Sequence, residues 1–131
     1  MIKTTCGIDT IRISRIGDVI KRKGTLFLDR VYTPAEQSLC DKKGKGRIAS
    51  LSARFAAKEA VVKALGTGVG RNNVRFSDIE ILADENQKPT VTLFGGAEVF
   101  FRQKGGVSME VSLSHDGDQA VAICVTQYEN N

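Results

Sequence analysis

Apolar and polar residues change period several times along this chain, and each change predicts an element. Ile2 to Asp9 is short, partly apolar and closes on Gly7-Ile8-Asp9, which predicts a strand. From about Thr10 to Lys21, the isoleucines Ile11, Ile16 and Ile20 recur among charged residues that include Arg12 and Arg15. That pattern predicts a short helix, ended by Lys21-Arg22-Lys23-Gly24. Thr33-Pro34-Ala35-Glu36 has the form of a helix start, with a Thr cap, Pro at the first helical position and Glu three after the cap. Asp41-Lys42-Lys43-Gly44-Lys45-Gly46 reads as a flexible basic loop. A long helix follows from about Arg47 to Leu65, rich in Ala, Lys, Glu and Leu, with Gly66 as its stop.

The second half is dominated by strands. Ile79 to Leu82 and Thr90 to Phe94 flank a turn at Asn86-Gln87-Lys88-Pro89, and Ala97 to Lys104 reads as a short helix between glycine pairs. Met109, Val111 and Leu113 alternate with Glu110, Ser112 and Ser114, as in a half-buried strand. After a turn at His115-Asp116-Gly117-Asp118, Gln119 to Thr126 returns as a strand apolar on both faces, placing it centrally or at a subunit contact. No repeat of fixed period appears, and the class is α+β in a single domain over residues 1–131.

One carboxylate disturbs this pattern. At 100° per residue, Ile48, Leu51, Phe55 and Val62 fall within an arc of roughly 60°, and Glu59 lands inside or at its edge. Opposite lies a strip of Ala49, Ala53, Ala57, Ala60 and Ala64, so both broad faces of the helix are expected to pack. A carboxylate there is costly unless something positive meets it. Arg47, Arg54 and Lys58 project within about 40° of one another, a basic ridge flanking Glu59, with Lys63 four residues further on. Two readings stand: a solvated edge with a Glu59–Lys63 pair, or a metal ligand or general base beside a phosphate-binding ridge. Gly66-Thr67-Gly68 adds a loop whose backbone allows a ligand close approach. Asp9, at the predicted strand end, is open to the same two kinds of reading, helix cap or magnesium ligand. His115, at a strand end, reads as a structural hydrogen-bonder or a functional group.

Composition narrows the classes. The 131 residues are 41% hydrophobic and 26% charged, ordinary for a globular protein. No run approaches a membrane span and the N-terminus lacks a secretory core, so a cytosolic place is expected. Cys6, Cys40 and Cys124 are scattered and odd in number, which argues for free thiols, and one His makes a zinc enzyme unexpected. The net charge of +4 points to anionic partners. A nucleic-acid module would interleave exposed aromatics with Lys and Arg, whereas Phe55, Phe100 and Phe101 sit in apolar contexts.

Taken in order, Gly7-Ile8-Asp9 with Arg15, Phe27 through Glu36, Arg54 through Gly70 and Ser112-Leu113-Ser114-His115-Asp116 resemble the holo-acyl-carrier-protein synthases, the small bacterial type of 4′-phosphopantetheinyl transferase. The most specific part is Phe55-Ala56-Ala57-Lys58-Glu59-Ala60 with Lys63-Ala64 and Gly66-Thr67-Gly68. The resemblance implies that fold, an antiparallel sheet with one long helix and shorter ones, assembled as a homotrimer with active sites between subunits. It implies transfer of phosphopantetheine from coenzyme A to a serine of apo acyl carrier protein, in support of fatty acid biosynthesis, with no nucleic acid or membrane as partner. Asp9 and Glu59 would hold Mg²⁺, and Glu59 or a water would be the base. Arg54, Lys58 and Lys63 would take phosphate oxygens, Gly66, Thr67 and Gly68 would lie beside the nucleotide, and His115 would help hold the coenzyme. Arg15 would face the acidic carrier protein.

Overall fold

The computed structural model describes residues 1–129. A first strand, β1 (Ile2–Arg12), leads into three helices: α1 (Ile13–Lys23), α2 (Thr25–Val31) and α3 (Pro34–Asp41). The long helix α4 (Arg47–Leu65) follows, then β2 (Ile79–Ala83), β3 (Pro89–Leu93), α5 (Gly95–Gln103), β4 (Gly106–Asp116) and β5 (Gln119–Glu129). All pairing is antiparallel, in a three-stranded sheet of order β1-β5-β4 and a β2-β3 hairpin. The α+β expectation holds.

The core forms where α4 lies across β1 and β5. On β5, Ala120, Ala122, Cys124, Thr126 and Tyr128 alternate inward and are all buried. Ala53, Ala56, Ala57, Ala60 and Ala64 answer from α4, so small side chains on both elements bring the backbones close. The closest approach is at Gly7, where a Cβ would lie 2.1 Å from the Ala60 carbonyl oxygen; only glycine fits. Ile16 anchors α1 in this core at 2% exposure, a burial worth about 1.5–3 kcal/mol. Phe55, Phe100 and Phe101 pack against the same core, in keeping with their apolar sequence contexts.

Locally encoded ends match the expectations. Thr33 and Glu36 form the reciprocal capping box at α3. Gly66, at φ +78°, ends α4 with bonds from its own N–H to Lys63 O and from Thr67 N–H to Val62 O, a Schellman pattern.

Three expectations are corrected. The first strand does not stop at Asp9 but runs through Arg12, because Thr10, Ile11 and Arg12 pair with Val121, Ala120 and Gln119 of β5. Asp9 is therefore no helix cap. The N-terminus of α1 is capped from across the chain, with Ser14 N–H and Oγ donating to Asp118 at 2.8 and 2.7 Å. The basic loop is shorter than expected, since α3 continues to Asp41 and Gly44–Gly46 form a 3₁₀ turn.

Candidate active site

The contact at Gly7 determines what lies beside it. Gly7 rests on Ala60 and on the Lys63–Ala64 turn of α4, and Asp9 is the next residue of β1 on the same face. Glu59 and Lys63, one helical turn apart, therefore stand next to Asp9. Lys63 Nζ donates to the Ile8 carbonyl at 2.8 Å and approaches Asp9 Oδ1 at 3.3 Å. The Glu59 carboxyl is pushed above the usual range, first by burial and then by the Asp9 charge, with Lys63 pulling the other way. Two carboxylates thus share one small region with a single ammonium between them.

That donor set fits a hard divalent cation. Magnesium takes one or two carboxylates and fills its remaining positions with water and substrate phosphate, and Asp9 keeps part of its side chain accessible at 20%. The mutual repulsion that raises Glu59 is what such a cation relieves.

The other α4 cations do not make the exposed ridge that helical spacing suggests. Lys58 is completely buried; its ammonium meets Glu36 Oε1 at 2.7 Å and donates to the carbonyls of Phe76 and Ile79. Lys58 is thus corrected from phosphate ligand to internal ion-pair partner. Arg54, only 6% exposed, gives Nε to Ile81 O at 2.8 Å and Nη1 to Ser50 Oγ at 2.7 Å. Arg47 pairs with Asp41 at the surface. The cause is helix phase: this stripe faces α3, which supplies Glu36, and the 3₁₀ turn at Phe76–Asp78 and β2, which supply carbonyls.

Arg54 nevertheless reaches a second place. With Lys43, Ser50, Gln87, Ser114 and His115 it lines an open cleft of about 450 Å³ between α4, the β2–β3 hairpin and the end of β4. Neither Asp9 nor Glu59 lines this cleft. Arg54 and Glu59 are five residues apart on α4, about 140° around the axis, so one chain presents them on different sides. Thr67 accepts from Asn72 Nδ2 at 2.8 Å, and Gly66 and Gly68 lie just past Lys63 at the helix end. Arg15 is exposed on α1.

Sequence reasoning missed Glu36 as a buried carboxylate, since its capping-box signal accounted for it fully. Besides Lys58 it accepts from Thr33 N and Ile81 N, both at 2.8 Å. It also left Lys43 and Gln87 as loop and turn residues, with no local signal that the fold brings them to Arg54 and His115.

Comparison with known proteins adds the context of relatives. The model of the 4′-phosphopantetheinyl transferase superfamily matches residues 5–124. A holo-acyl-carrier-protein synthase of Ruminiclostridium cellulolyticum is 45% identical over 119 residues, covering 91% of this chain and 88% of the relative. The crystal structure of the corresponding synthase from Neisseria meningitidis superposes with a TM-score of 0.85 at 33% identity, covering 93% of this chain and 96% of that one. That of Helicobacter pylori, in complex with coenzyme A, gives 0.81 at 36% identity, with coverage of 92% and 98%.

Proposed function

This chain belongs to the 4′-phosphopantetheinyl transferase superfamily, and we infer that it moves the phosphopantetheine group of coenzyme A to a serine of apo acyl carrier protein. The observation that carries the site assignment is the meeting of Asp9 and Glu59 at the Gly7 crossing, with Glu59 raised by burial and by its neighbour. The serine oxygen attacks the phosphorus on the pantetheine side of the pyrophosphate. A new O–P bond forms, the bond to the bridging oxygen breaks, and adenosine 3′,5′-bisphosphate leaves with the electron pair.

Within this scheme Asp9 and Glu59 hold Mg²⁺, which when bound neutralises charge on the pyrophosphate and on the leaving group. Glu59, or a water beside it, is also the candidate to take the serine proton, since its carboxylate stands at the same place as the reacting phosphate. Lys63 orients phosphate oxygens from its half-exposed position, and Gly66 to Gly68 border the nucleotide. Arg54 and His115, with Lys43, form a cationic cleft suited to a further phosphate of the coenzyme. Arg15 faces the carrier, whose anionic surface the net charge of +4 attracts.

Because Arg54 and Glu59 lie on different sides of α4, one coenzyme touching both groups is best accommodated between neighbouring subunits. The outer sheet face offers the contact: Ile8, Ile123 and Val125 remain 58%, 39% and 39% exposed, with Ile8 paired to Ile123 and Val125 two residues further along β5 opposite Cys6. A homotrimer through this face is part of the proposal, as is a cytosolic place, where coenzyme A and the free thiols of Cys6, Cys40 and Cys124 persist. Sedimentation of the purified chain tests the assembly.

The activity is tested by intact mass. An apo carrier protein incubated with this chain, coenzyme A and Mg²⁺ gains one phosphopantetheine group, and EDTA prevents the gain. No gain with several folded apo carriers overturns the proposal. A gain that persists in EDTA removes the metal from it.

A further inference from the structure

Lys63 has a position that phosphate binding alone does not explain. Its ammonium is held by a neutral backbone oxygen, Ile8 O at 2.8 Å, and leans on Asp9 Oδ1 at 3.3 Å, while the side chain stays 53% exposed. Glu59 lies one turn back on the same helix, close enough for the Lys63 charge to act on it. A single unit charge thus compensates two carboxylates. We propose that Lys63 is a built-in counter-ion of the Asp9–Glu59 pair, which a divalent cation must displace and which is thereby released to the incoming phosphate. This inference rests on the metal-site reading above and goes beyond it.

Three features support the exchange. First, a cation bound by both carboxylates competes directly with the ammonium for Asp9, and like charges at that range repel. Second, the longer contact is the one to Asp9 and the shorter is to the neutral Ile8 carbonyl. The ammonium can therefore leave Asp9 while pivoting on Ile8, and its exposed stem gives it room to swing. Third, Lys58 shows what a fixed lysine looks like on the same helix, since it is enclosed by Glu36 and two carbonyls with no exposure. Lys63 lacks that enclosure. The consequence is linkage: the cation frees a phosphate ligand, the phosphate holds the ammonium away from Asp9, and each favours the other.

The test uses Mn²⁺ as the probe, its free concentration read by electron paramagnetic resonance, on the full chain with and without coenzyme A. Without coenzyme A, Lys63→Met binds Mn²⁺ about five- to tenfold more tightly than wild type, the scale expected for removing a unit charge near a divalent ion at a wet surface. Lys63→Arg, which keeps the charge, stays near wild type, and Asp9→Asn loses the binding. Coenzyme A tightens Mn²⁺ by a larger factor in wild type than in Lys63→Met. Unchanged or weaker Mn²⁺ binding in Lys63→Met, with Asp9→Asn still defective, overturns the counter-ion role and leaves the metal site standing. Mn²⁺ binding that ignores Asp9 overturns the metal site and this inference together. An equal effect of coenzyme A in wild type and Lys63→Met overturns the release to phosphate.

Discussion

Two lysines five residues apart on α4 each meet a carboxylate from another element, and the two pairs share almost nothing else. Lys58 and Glu36 meet at 2.7 Å with neither side chain exposed, whereas Lys63 and Asp9 meet at 3.3 Å with 53% and 20% exposure. Burial lowers the proton affinity of Lys58, and the Glu36 carboxylate beside it opposes that shift. The inner pair also ties together the start of α3, the 3₁₀ turn at Phe76–Asp78 and β2 through backbone donors and acceptors. The outer pair has solvent on one side and a single neutral anchor. Residue type therefore says little about role here. Helix phase decides which lysine is structural and which is free to exchange partners.

The strongest way to break this division is to remove the carboxylates of the outer site. Asp9→Ala and Glu59→Ala each lower the rate of carrier modification by about a thousandfold or more, the loss of several kcal/mol of transition-state stabilisation. Both leave a folded chain, checked by circular dichroism. A near-wild-type rate in either would remove the catalytic distinction between the two pairs. The stability contrast comes next. Lys58→Met leaves Glu36 buried without its partner and costs about 3–5 kcal/mol, while Lys63→Met costs less than about 1 kcal/mol. Urea midpoints for the two variants measure the difference, and equal midpoints would refute it.

Smaller effects sharpen the picture at α1. Arg15→Glu raises the KM for apo carrier protein about tenfold and leaves the KM for coenzyme A unchanged; steady-state kinetics with each substrate varied in turn distinguishes the two. A parallel rise in both would move Arg15 out of the carrier surface. Least of all is the cap that α1 borrows from the β4–β5 turn. Hydrogen bonds from the Ser14 hydroxyl and backbone hold the Asp118 carboxyl below its ordinary value. An acid depressed by folding stabilises above its unfolded pKa and loses that contribution as pH falls through the folded value. Asp118→Asn is therefore slightly less stable than wild type at neutral pH, and thermal melts of the two converge toward strongly acid pH.

These outcomes also separate what short-range sequence signals reveal from what they cannot. The α3 capping box, both ends of α4 and the β2–β3 hairpin were legible because their determinants lie within a few residues. The α2 helix was missed, being seven residues long and preceded by Gly24 with no side-chain cap. Extension of β1 to Arg12 depends on pairing with Gln119, far along the chain. On a helical wheel Lys58 looked like part of a polar ridge, because the wheel contains no Glu36 to neutralise it. Glu59 stands out as anomalous from periodicity alone; a cation shared with Asp9 is one open reading of the two odd carboxylates, and the family resemblance is what selects it.

The missing side chain at Gly7 has a mechanical consequence. It makes the β1–α4 crossing a fulcrum, with the Asp9 carboxylate only about 7 Å further along the strand and Glu59 and Lys63 on the opposing arm. Even a methyl group at position 7 would meet the Ala60 carbonyl at 2.1 Å and lever the arms apart. The tolerance of the carboxylate pair is therefore set by a residue that carries no functional group at all. A library aimed at changing this site would do well to vary everything around that point and hold it constant.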